Sequence, residues 1–155
     1  MTSPSAPTTT PVDWSIQSVS IGGLTIPVAR LNIPLFLGGP PATLHSPCDL
    51  CWLDTGAPVS VVPFHVHHGR LSWRPVPGVS TTWAGQPCDL GHVNVWLTTE
   101  QPPTVRGPFS LLAKFPRADP PGDLVPILLG LEFFFTHQAD FDMVLPPKHS
   151  VIRLP

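Results

Sequence analysis

Tyrosine is absent from the 155 residues, and charged side chains make up only 12% of them. Eight Lys and Arg stand against ten Asp and Glu, for a net charge of −2. That balance gives no electrostatic reason to expect nucleic acid or an anionic membrane as a partner. No run approaches the roughly twenty consecutive apolar residues of a membrane-spanning helix. The opening residues lack the basic and apolar regions of a signal peptide, so a cytoplasmic location is the default expectation. Residues 1–13 read as a disordered Pro/Thr/Ser leader. The remaining stretch, 14–155, is long enough for one domain with a real core and too short for two.

What the chain has in quantity is proline, twenty-three, and glycine, twelve. This disfavours long helices and suits short strands joined by turns, so the expected class is all-β. Residues 14–19 and 24–31 read as strands joined at Gly22-Gly23. Residues 33–37, 48–53 and 59–63 continue the apolar pattern. A second hairpin is expected from 81–84 and 90–97 across Gly85-Gln86-Pro87. Residues 109–115 and 151–154 complete the strands, 65–79 reads as an irregular surface connection, and 133–137 is the one expected helix. No internal repeat is visible.

Asp54-Thr55-Gly56 is the most informative tripeptide. Apolar Cys51-Trp52-Leu53 precedes it and Ala57-Pro58-Val59-Ser60-Val61-Val62 follows, so one acid sits at a tight turn between two strands. Backbone N–H groups and bulky neighbours can act on a carboxyl there, as acid–base chemistry on a bound water requires. The bland alternative is an Asp that only caps a turn. Far downstream, Ile127-Leu128-Leu129-Gly130 is a buried apolar strand that ends at a glycine and turns into a short apolar segment. Together the two elements resemble the aspartic peptidases, in their single-domain, retropepsin-like branch. Asp54-Thr55-Gly56-Ala57 matches that family's catalytic motif, and Leu128-Leu129-Gly130 matches the strand that packs behind it in a ψ-shaped loop.

The resemblance implies an acid-protease barrel with one short helix and a dimeric active site. A single Asp-Thr-Gly means that the second carboxylate comes from a second copy of the chain. Two Asp54 side chains would share one proton, the ionised one activating a water and the protonated one polarising the scissile carbonyl, with neither metal nor cofactor. The substrate would be a peptide or protein with apolar residues at the cleavage site. Gly56 would offer its N–H to the carboxylates, Thr55 would bond across the dimer, and Ala57 would lack the hydroxyl that two-lobed relatives use on their aspartate. Trp83, Ala84 and Gly85 lie where the family's substrate-covering flap is expected, although Pro87 departs from the viral pattern. Leu131-Glu132 replaces the Arg-containing pair that retroviral members use at the dimer interface, which shifts expectation to terminal strands 14–19 and 151–154.

Two further clusters have competing readings. Cys48, Cys51, Cys88 and His92 have a spacing that can hold zinc, and a structural disulfide is a second reading, but free or buried thiols are the simpler expectation. His65, His67 and His68 read as a solvated loop rather than a metal site. A zinc-stabilised structural domain, or a dimeric peptide-binding module without turnover, are therefore the alternative functions.

Overall fold

The computed structural model describes residues 8–100, 103–144 and 149–155. In chain order, β1 (Thr8–Ile21) and β2 (Leu24–Asn32) form the first hairpin, and β3 (Leu35–Leu37) follows. A loop then leads to β4 (Cys51–Leu53), β5 (Ser60–Val61) and the one-turn helix α1 (Phe64–His67). Next come the long strands β6 (Arg74–Trp83), β7 (Gln86–Glu100) and β8 (Pro103–Pro116). The last elements are β9 (Ile127–Leu129), α2 (Leu131–His137), β10 (Asp140–Asp142) and β11 (Ser150–Leu154). The fold is all-β.

The strands pair in the order β10-β11-β1-β2-β4-β9-β5-β8-β7-β3, with β6 added beside β7. Strand periodicity builds the core. Val93, Val95 and Leu97 alternate inward along β7, Leu111, Ala113 and Phe115 along β8, and Ile127 and Leu129 along β9. Phe133 of α2 is fully buried among them, as are Ile152 and Leu154 of β11.

Several sequence expectations change. Thr8 to Val12 do not belong to a leader: they pair with Leu154 to Ser150, and Thr10 and Val12 are buried. Alternate burial, not composition, decides that segment, because every second residue lands on the core. Residues 1–7 of the expected leader lie outside the described residues. The Gly22-Gly23 turn forms as expected, with φ of 57° and 80° and Ile21 opposite Leu24. The irregular connection at 65–79 instead holds α1 and the first half of β6. Pro75 and Pro77 suggested a break, but β6 pairs only with β7 and its register shifts between Pro75 and Ser80. An edge position with a bulge tolerates proline.

The second hairpin turns at Ala84-Gly85, one residue earlier than expected, so Gln86 and Pro87 belong to β7. The helix α2 starts at Leu131, two residues before the expected 133, and α1 is a second, shorter helix. Of the terminal strands expected at a dimer interface, 151–154 is paired within the chain, whereas 14–19 is paired along one edge only among the described residues. β11 is flanked by β1 and β10, and residues Asp13 to Ile21 of β1 pair with β2.

Candidate active site

Asp54 follows β4 directly. Its backbone N–H donates to Leu129 O at 2.9 Å, which carries the parallel β4–β9 pairing one residue past the strand end. The chain then folds back on itself. The Ala57 N–H donates to Asp54 O at 3.1 Å, and the Gly56 N–H donates to Asp54 Oδ1 at 3.0 Å. A backbone turn and a side-chain turn thus close on the same four residues. The carboxylate is half-buried, Thr55 and Gly56 are exposed, and Asp54 Oδ2 has no partner among the described residues.

The downstream element is locked to this loop. β9 lies between β4 and β5, parallel to the first and antiparallel to the second. One strand therefore threads between the two strands that the Asp54 loop connects. Gly130 ends it, and its N–H donates to Ser60 Oγ at 2.9 Å in a buried setting. A side chain at Gly130 has no room: its Cβ would lie 2.7 Å from Val59 C and 2.8 Å from both Ala57 O and Ser60 N. Leu131 and Glu132, the first residues of α2, donate their N–H groups to Ala57 O at 2.9 Å and Pro58 O at 3.0 Å. These are N–H groups that a helix start cannot pair internally, so α2 is capped by the Asp54 loop itself.

Asp54, Thr55, Gly56 and Ala57 are thus brought together with Leu128, Leu129 and Gly130. Trp83, Ala84 and Gly85 form the tip of a separate hairpin, and no hydrogen bond joins that tip to the Asp54 loop among the described residues. Ala84 and Gly85 both have positive φ, 48° and 77°, as a two-residue type I′ turn requires. The hairpin is tied down beside its tip, at the Thr82–Pro87 pair. Lys114 Nζ donates to Thr82 O at 2.9 Å, and the Arg117 N–H donates to Pro87 O at 3.0 Å. Arg117 Nη2 also meets Asp89 Oδ1 at 2.7 Å. That hydrogen bond holds the Asp89 carboxyl below the usual carboxylate range. Lys114 also accepts the Val62 N–H at its carbonyl at 3.0 Å, so β8 links the tip end of the hairpin to the strand leaving Asp54.

Beside the Asp54 loop lies an apolar surface. A cleft of about 230 Å³ is lined by Leu53, Thr55, Leu131 and Phe134 with Asp140, and one of about 870 Å³ by Pro58, Leu131, Phe134 and Phe135 with Glu132, Gln138 and Asp140. Phe135 is 90% exposed here, whereas Phe133, two residues earlier on the same helix, is fully buried.

The four residues of the possible zinc set do not converge, and among the described residues no three His, Cys, Asp or Glu side chains do. Cys51 faces the core, where burial pushes its thiol pKa up, and Cys88 is buried on β7. His92 Nδ1 lies 3.3 Å from Ser110 Oγ. His67 is not solvated as expected: its Nε2 lies 2.8 Å from Pro116 O, and its ring packs edge-on against Phe115.

Ser60 is the site residue that sequence reasoning did not single out. Its signal was a lone hydroxyl inside an otherwise apolar run. No family model matches the chain, and no curated protein matches it.

Proposed function

We propose that the chain is an aspartic endopeptidase of the retropepsin-like type, a cytoplasmic homodimer that cleaves peptide bonds flanked by apolar side chains. The observation that carries this reading is the threading of β9 between β4 and β5, with Gly130 held on Ser60 and the Asp54 loop held on α2. A turn that merely needed capping would not need a strand, a buried hydroxyl and a helix start arranged around it. Each chain contributes one carboxylate, and the free Asp54 Oδ2 would share a proton with its counterpart. The ionised partner takes a proton from a water held between them, and the neutral partner polarises the scissile carbonyl; the water attacks without a covalent intermediate. The second copy docks through the exposed Thr55, Gly56 and Pro58 and the adjoining exposed Leu131 and Phe135. The hairpin tipped by Trp83, Ala84 and Gly85 would cover the bound peptide.

Asp54→Asn is the direct test, because an amide can neither share the proton nor activate water. Cleavage of an unfolded protein substrate such as casein should fall at least about a thousandfold, with the circular dichroism spectrum unchanged. Near wild-type turnover in the variant would refute the assignment. Peptide binding by the wild type without any cleavage would favour the binding-module alternative.

A further inference from the structure

Trp52 lies on the sheet face opposite Cys51 and Leu53, which pack into the core. On that face the Arg30 guanidinium carbon stands 4.7 Å from the centre of the Trp52 ring. The stack holds the cation in place but leaves its hydrogen-bond donors unused. Arg30 Nε is sealed from solvent without a partner, and its side chain makes no ion pair among the described residues. Both residues line a cavity of about 700 Å³ that also receives Gln17 of β1 and the Leu124-to-Pro126 segment before β9.

The other charges around this cavity are accounted for. Arg70 is held by Asp49 at 2.6 Å, and His65 by Asp119 at 3.0 Å. Asp123 stands exposed, where water screens it. Arg30 is therefore a positioned, un-neutralised fork at the wall of a cavity. A carboxylate in the cavity would accept from the Arg30 Nη donors, which no group of the chain engages among the described residues.

We propose that this cavity is a subsite for an acidic side chain, Glu or Asp, of a bound peptide. Its position links it to Asp54. The Asp54 N–H continues the β4–β9 pairing, and Trp52, which lines the cavity, stands two residues before Asp54, roughly 7 Å away at the rise of a strand. A peptide lying across Asp54 can therefore place a side chain about two residues from its centre against Arg30. The selection of substrate by this subsite rests on the peptidase reading; the binding itself does not.

The experiment uses Asp54→Asn protein, so that peptides are bound and not consumed. Fluorescence anisotropy would compare two labelled, largely apolar peptide libraries, each of eight residues, identical except for Glu or Gln at one fixed position scanned along the peptide. At one position the Glu form should bind about tenfold more tightly than its Gln partner, and Arg30→Gln should remove that preference. Arg30→Lys should lose most of it, since a point charge lacks the fork. Equal binding of Glu and Gln forms at every position, or an undiminished preference in folded Arg30→Gln, would overturn the proposal. So would displacement of the peptide by free glutarate at the peptide's own affinity, which would mark a small-carboxylate site instead. The Glu/Gln comparison needs no Arg30 variant, so a failure of that variant to fold leaves the test intact. Cleavage without a Glu preference would sink this inference and spare the peptidase reading; a Glu preference without cleavage by the wild type would do the reverse.

Discussion

Gly130 shows how much a single residue carries. Its N–H is consumed by Ser60, and the space where a Cβ would sit is already filled by backbone of the Asp54 loop. Backbone cannot rotate aside as a side-chain tip can. Gly130→Ala should therefore push β9 away from β5 and cost about 3 kcal/mol in stability, at the upper end for an overpacked interior site. Urea unfolding would check it, and a loss under about 0.5 kcal/mol would mean the loop yields easily. Asp54 depends on the same contact, so cleavage should fall more steeply than stability. The glycine itself was legible in the sequence as the end of an apolar strand. Its reason was not: the clashing atoms come from Ala57, Val59 and Ser60, some seventy residues earlier, and only the fold brings them near.

Among the elements, the β6–β7 hairpin is the one most open to local change. Its tip forces Ala84 into the left-handed region at φ 48°, which costs an L-residue roughly 1 kcal/mol. Ala84→Asn offers the Asn-Gly pair that a type I′ turn favours and should raise stability by about 0.5 kcal/mol, read from the denaturation midpoint. Midway along the hairpin, the Arg117 hydrogen bond holds Asp89 below the usual carboxylate range. A depressed carboxylate contributes stability above its unfolded pKa and loses that contribution as pH falls through its folded one. Wild type should therefore lose slightly more stability than Asp89→Asn when pH is lowered from 6 to 3. Both partners are substantially exposed, so the difference is small, and parallel curves would show that the pair contributes nothing. Elements with clean signals were legible: the Gly22-Gly23 hairpin, the strand entering Asp54, and Leu128-Leu129-Gly130. Those whose nature depends on a neighbour were not. Thr8 to Val12 looks polar and proline-containing, and becomes a strand because β11 pairs with it. β6 survives two early prolines because it is an edge.

At the scale of the whole molecule, the question is what completes the site. One chain supplies one half-buried carboxylate, flanked by exposed Thr55 and Gly56 and by an apolar surface that ends in Phe135. No helix among the described residues is long and apolar enough to cross a membrane. The all-β class was readable from proline, glycine and strand periodicity. The occupation of both edges of β11 was not, because pairing partners are set by topology, and that occupation takes β11 out of the proposed dimer contact, which is placed on the Asp54 loop and α2. The central claim is that two Asp54 side chains, one from each copy, make one active site. Adding Asp54→Asn protein to a fixed amount of wild type, at total concentrations that keep the chains paired, tests it most directly. At ninefold excess only about a tenth of wild-type chains should find a wild-type partner, so activity should fall to about a tenth once the chains have exchanged. Activity unchanged by the excess, under conditions where mixed dimers are shown to form, would contradict a site shared between two chains.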